Sequence, residues 1–206
     1  MTTLLDEYRD DGPLAELVGR TRIRSVFALT LTAVGVLAAA AGLYADGASV
    51  TGVASVLGSV VFVTLGMAGG AARRSRRVQW LVPPLLRAGE YTIVATFAWR
   101  YGLPAAWLAF LLLVIVAFHH YDIVYRLRHQ HAAPSRTVSR LCGGWEGRTI
   151  VVTVAAVTGV LVPVMIVLAA WCGAWYVSES LRSWTLLALD ETRQMHSAAE
   201  IEEEAV

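Results

Sequence analysis

Apolar runs long enough to cross a lipid bilayer alternate along this chain with short polar segments that carry its arginines. A hydrocarbon core about 30 Å thick takes roughly 20 residues of apolar helix. Residues 26–44 hold no charge and fit that length, and residues 48–72 follow after an Ala-Asp-Gly turn. Residues 78–99 are long enough but carry Arg87 and Glu90. Residues 101–121 fit again and run into a polar stretch, FHHYDIVYRLRHQH, at positions 118–131. The last run, residues 149–178, would be about 45 Å long as a single helix, too long for one upright crossing and short for two. Gly159 and Pro163 near its middle predict a break. The pattern therefore predicts an all-α, polytopic transmembrane bundle of six helices; an unbroken last run would give five. Residues 1–24 read as a cytosolic N-terminal segment, 25–184 as the membrane domain and 185–206 as an acidic tail.

Charge placement adds an orientation. Arg9, Arg20, Arg22 and Arg24 precede the first run, and Arg73, Arg74, Arg76 and Arg77 separate the second from the third. Arg126, Arg128, Arg136, Arg140 and Arg148 follow the fourth, whereas the alternate loops hold only Arg100. Arginine and lysine are retained on the cytosolic side, so the N-terminus and these loops are expected in the cytosol of a multi-pass cell-membrane protein. The composition, 56% hydrophobic, excludes an ordinary soluble domain. Two cysteines, Cys142 and Cys172, make no disulfide framework and read as free thiols. The polar N-terminus has no cleavable signal, so the first run is expected to stay as an anchor. Gly66 and Gly70 form a GxxxG pair, suited to close helix packing within the bundle or to a homodimer face.

Three polar clusters interrupt the apolar pattern: LLRAGEY (residues 85–91), HHYDIVYRLR (119–128) and GGWEGR (143–148). Pro83 and Pro84 suit a helix start, which places Arg87 about 6 Å and Glu90 about 10 Å into the third run. The fourth run returns antiparallel, so Arg87 is expected to face Asp122 and Glu90 to face His119. Charges at such depth cost about 2.5–3.5 kcal/mol each near a helix centre and normally turn inward, towards a functional site or a buried ion pair. Glu90, His119, His120 and Asp122 are the candidate acid–base groups. Glu90, Asp122 and Glu146 could hold a divalent cation such as Mg2+. Arg87, Arg126, Arg128 and Arg148 suit phosphate, because the guanidinium fork matches its oxygens. Tyr91, Tyr121, Tyr125 and Trp145 complete a candidate substrate site. Trp80 and Phe97 could join these tyrosines in lining an apolar pocket and stabilising a carbocation. The glycines of GGWEGR would let backbone approach a ligand closely.

The order LLRAGEY, FHHYDIVYRLRH, GGWEGR, SESLRSW resembles an actinobacterial polytopic membrane domain, with HHYDxxYR and GWxGR as its most distinctive parts. That domain is found alone or fused behind nucleotidyltransferase and CDP-alcohol phosphotransferase domains. The resemblance spans roughly residues 14–184 and implies a role in phospholipid or prenyl-lipid metabolism. The chain lacks the DGxxAR and GxxxDxxxD strings of the phosphotransferases themselves, the DDxxD of soluble prenyl-diphosphate enzymes, and the HExxH or CxxC of zinc sites. The expected function is a membrane enzyme acting at the cytosolic leaflet on a prenyl diphosphate, by prenyl transfer or terpene cyclisation with Mg2+. Two alternatives are a phosphoryl transferase or phosphatase of phospholipid metabolism and a non-catalytic membrane partner of a lipid-synthesising enzyme. A proton-coupled transporter using Glu90 and His119 is a third. No nucleic-acid partner is expected.

Overall fold

A computed structural model describes residues 8–20, 28–49, 52–70, 79–130 and 135–204. The RRSRR loop with Arg73, Arg74, Arg76 and Arg77 lies outside the described residues, as do the side chains of the acidic tail. The architecture is all-α. A short helix α1 (Pro13–Arg20) precedes α2 (Ala28–Ala45) and α3 (Val53–Gly70). Then come α4 (Val82–Tyr101), α5 (Leu103–Tyr125), α6 (Arg136–Leu141), α7 (Gly144–Thr158) and α8 (Leu161–Glu204).

Among the described residues, three helical stretches are long and apolar enough to cross a membrane: Ala28–Ala45, Leu103–His129 and Leu161–Leu186. Val53–Gly69 is a shorter apolar helix. The chain has the helices of a multi-pass membrane protein. Large apolar side chains cover the outside of these helices, with Leu37, Trp107, Phe110, Val114, Val167 and Leu181 all exposed. In water such a surface would be unfavourable, whereas lipid tails solvate it. Helix α4 carries Arg87, Glu90 and Arg100, and α7 has only 15 residues, about 22 Å of rise.

The run of residues 149–178 is broken. Gly159 caps α7 in the left-handed region (φ +80°), and α8 starts at Leu161. The Tyr101 hydroxyl at the end of α4 donates to the Ala156 carbonyl near that break. Further along α8, Tyr176 and Glu179 return to the level of Arg148 and Arg126. The two pieces therefore run antiparallel. Pro163 sits in the first turn of α8, where its missing N–H costs nothing.

Helix α4 is the hub, packed against α2, α5 and α7. Helices α2 and α3 approach closely, because Gly42 and Gly58 leave room for the backbone of the partner helix. Gly66 faces the Trp145 ring and Leu86, so this member of the GxxxG pair serves packing inside the bundle. Gly89 on α4 does the same for Phe62: a Cβ there would lie 2.3 Å from the ring. Gly89→Ala is expected to cost about 1–3 kcal/mol, because Phe62 is fully buried and cannot swing aside. Thermal unfolding in detergent, compared with Gly19→Ala where the space is open, measures it. Cys142 and Cys172 are free and buried.

One end of the bundle is held by Arg100, which donates to the Ser55 hydroxyl (2.9 Å) and to the Leu43 carbonyl. The other end gathers residues 8–20, the end of α5, α6, the start of α7 and the middle of α8. All three polar clusters of the sequence lie there.

Candidate functional site

The centre of that end is Arg148, fully buried on α7. Its Nε donates to Glu90 Oε1 at 2.6 Å and its Nη2 to Glu90 Oε2 at 3.2 Å, a two-pronged pair between α7 and α4. Nη1 donates to the Tyr176 hydroxyl at 2.7 Å on α8. Nη2 also donates to Asp10 Oδ2 at 2.9 Å, on the segment before α1. One guanidinium thus ties four parts of the chain together.

Asp10 completes the arrangement from the polar side. Its carboxylate points between α5 and α7, with His119 Nε2 3.5 Å from Oδ1 and His120 Nε2 3.4 Å from Oδ2. Burial works to raise the Asp10 carboxyl, but Arg148 and the two imidazoles outweigh it and hold the group well below the usual carboxylate range. Asp10 sits at φ +53°, in the left-handed region. Aspartate tolerates this better than most residues, at a cost on the order of 1 kcal/mol. The imidazole of His119 stacks on the Tyr176 ring with centroids 3.7 Å apart. His120 Nδ1 lies 2.9 Å from the Tyr91 hydroxyl, which leaves Nε2 facing Asp10. Arg87 reaches the same segment, donating from Nη2 to the Tyr8 carbonyl at 2.9 Å.

The segment 8–20 is fastened at several points. Glu146 accepts hydrogen bonds from the N–H groups of Gly12 and Ala15, both at 3.1 Å. These donors open α1 and would otherwise be orphaned, and the carboxylate also suits the positive end of the helix. Trp145 donates its indole N–H to Asp11 Oδ1 (2.9 Å) and its backbone N–H to the Asp10 carbonyl (3.2 Å). Arg140 pairs with Glu16 at 2.7 Å. Gly12 lies so close to Gly143 and Gly144 that a Cβ on Gly12 would fall 2.2 Å from the Gly143 carbonyl oxygen. Within GGWEGR it is Gly144 that permits a close backbone approach, and the backbone that approaches is the chain's own N-terminal segment.

The partners differ from those the antiparallel register predicts. Arg87 pairs with the Tyr8 carbonyl rather than Asp122, and Glu90 with Arg148 rather than His119. The reason is a third helix: α7 inserts a charged fork that meets the carboxylate with two N–H groups at once, which a single imidazole nitrogen cannot match. Asp122 is taken by Arg126 of its own helix at 2.5 Å, the i,i+4 spacing. Arg126 is buried, pairing also with Glu179 of α8 at 3.4 Å, while Glu179 accepts the Ser135 N–H. Arg128 is exposed.

Glu90, Asp122 and Glu146 thus have three separate partners and do not fit around one cation. Among the described residues no group of three or more His, Cys, Asp or Glu stands ready for a metal ion. The aromatic residues do not share one cavity either. Trp80 and Tyr121 are exposed and Phe97 is in the core. Tyr125 packs between Tyr121, His129 and Trp184. Trp145 is fully buried against Phe62. Site members that pattern reading misses are Tyr8, Asp10, Tyr176 and Glu179. YRDDGP looks like an ordinary helix start, and Asp10 stands 138 residues from Arg148.

A model of a family of unknown function, DUF5941, matches residues 1–204. The chain belongs to this family. The match covers the N-terminal segment as well as the helices, so the family's extent includes both sides of the Asp10–Arg148 contact. No curated protein and no solved structure matches the chain.

Proposed function

We propose that this family member is an integral membrane enzyme acting, at the cytosolic leaflet, on a lipid with a phosphate or diphosphate head. The observation that carries the reading is the convergence of Arg148, Arg87, His119 and His120 just inside one end of an apolar bundle. Helices α2, α3, α4, α5, α7 and α8 would make six crossings, with the arginine-bearing end in the cytosol. A lipid lying along the exposed apolar flank of α5 would bring its head to this end. Arg148 and Arg87 would neutralise headgroup oxygens, where low dielectric strengthens the attraction. His120, oriented by Tyr91, presents Nε2 to the same space and could give a proton to a leaving oxygen. His119, held flat by Tyr176, could take one from the attacking group.

Transfer or hydrolysis at the phosphate gives a role to both arginines, Arg148 and Arg87, and to both histidines of this end. Carbocation chemistry would need an aromatic lining that Trp80, Phe97 and Tyr121 do not jointly provide, so the phosphoryl reaction is the favoured one. A second reading, a non-catalytic membrane partner, is favoured by the mutual pairing of Arg148 with Glu90 and Asp10. The test uses detergent-purified protein with prenyl diphosphates and phosphoinositol-type lipids, with and without magnesium. Phosphorus NMR follows release of phosphate or diphosphate, and the organic phase is extracted for new products. Release that falls about 100-fold or more in His120→Ala supports the enzyme. No release from folded protein across the panel transfers the weight to the partner reading.

A further inference from the structure

The Asp10 carboxylate sits in a cage, where it faces three donor side chains and shares one of them, Arg148, with the Glu90 carboxylate. Arg148, His119 and His120 surround it, each of them at least nine-tenths buried, and Arg87 holds the Tyr8 carbonyl beside it. With Asp10 in place the charges balance: buried Arg148 and half-buried Arg87 against buried Glu90 and Asp10. With Asp10 withdrawn, one positive charge and two imidazoles remain without an anion. The fit is also loose. Arg148 is at hydrogen-bond distance, but the imidazole nitrogens stand 3.4 and 3.5 Å away, and Asp10 Oδ1, His119 Nε2 and His120 Nε2 all lack a hydrogen bond. A planar carboxylate is too small to satisfy the three donors at once. A tetrahedral phosphate has more oxygens and a wider reach, and buried donors left unmet favour whatever meets them.

The occupant is also removable without dismantling the bundle. Residues 8–20 lie over the end of the helices, fastened by Glu146 to Gly12 and Ala15, by Trp145 to Asp10 and Asp11, by Arg87 to Tyr8 and by Arg140 to Glu16. The helices that carry Arg148, Glu90, His119 and Tyr176 contact one another independently of them.

We infer that the cage is a phosphate-binding site in which Asp10 is an intramolecular competitor, so that residues 8–20 form a strap that closes the site until a phosphate or diphosphate group displaces it. This rests on the headgroup site proposed above and names its regulation. The phosphate can come from a lipid head or from solution; the chemistry in the cage is the same.

Hydrogen–deuterium exchange of peptides from residues 8–20 tests it on the wild-type protein. One arm adds inorganic diphosphate to detergent micelles, and the other places the protein in phosphatidylcholine nanodiscs with or without phosphatidic acid. Displacement raises exchange at the Gly12 and Ala15 amides at saturating anion. A response to phosphatidic acid alone assigns the site to lipid heads, and a response to both assigns it to phosphate in general. Two variants release Asp10 by different means: Asp10→Asn removes the charge, and Gly12→Ala forces the strap off Gly143 without touching the cage. Each should tighten diphosphate binding about tenfold or more, because less of the protein is in the closed form. Arg182→Gln, an exposed arginine of α8 outside the cage, should leave binding unchanged. No rise in wild-type exchange with either anion overturns the inference, whether or not the variants fold. So does diphosphate binding that is unaltered in folded Asp10→Asn. Strap displacement without turnover would keep this inference and remove the enzyme reading. Turnover with no strap displacement would do the reverse.

Discussion

Replacing Arg148 by methionine is expected to destabilise the protein by about 3–5 kcal/mol, a large fraction of the stability of an ordinary domain. The loss does not measure the strength of the ion pairs. It reflects what the variant leaves behind: Glu90 and Asp10, both buried, with no cation to answer them. Removing one partner of a buried pair strands the other in low dielectric, whereas removing both can be nearly neutral. The double variant Glu90→Leu/Arg148→Met should therefore recover much of the loss that the single variant shows. Asp10 can move to solvent with its strap, but Glu90 lies on α4 and cannot. Thermal unfolding of the wild type, both single variants and the double variant gives the coupling directly. If the double variant is as unstable as the sum of the singles, the Glu90–Arg148 contact is not a structural unit.

The second large effect is expected at Gly144. It sits at φ +61°, and a Cβ there would lie 2.2 Å from the backbone nitrogen of Gly12 and 2.8 Å from the Asp10 carbonyl oxygen. Gly144→Ala therefore combines an unfavourable backbone conformation with an overlap against main chain, which cannot rotate away. A cost on the order of 3 kcal/mol is expected, borne mainly by detachment of residues 8–20. Gly147, three residues along in the same motif, is the internal control. It is helical and a Cβ would meet nothing within 4 Å, so Gly147→Ala should be neutral or stabilising by up to about 1 kcal/mol. Exchange at the strap amides separates the two: fast in Gly144→Ala, unchanged in Gly147→Ala. Equal behaviour of the two variants would mean that the strap is not held by this backbone contact.

The sequence by itself determined the membrane class, the helical runs and the break at Gly159. Those follow from local properties: a length of apolar residues set by the bilayer, and a glycine that ends a helix where φ must turn positive. It also marked the three polar clusters that meet at one end, because charge inside an apolar run has few explanations. Partner choice was not legible. The antiparallel register of α4 and α5 matches Arg87 with Asp122 and Glu90 with His119, and that argument has no place for a third helix. Arg148 claims Glu90 because a fork of donors from α7 arrives at the same depth, and Arg126 claims Asp122 because it stands one turn away. Asp10 was the least legible of all. Nothing local distinguishes the aspartates of YRDDGP from those of any helix start, and only the tertiary structure brings one of them onto two imidazoles and an arginine. What decides it is long-range backbone geometry: Gly144 and Gly12, each without a Cβ, let the N-terminal segment come close enough to reach the cage.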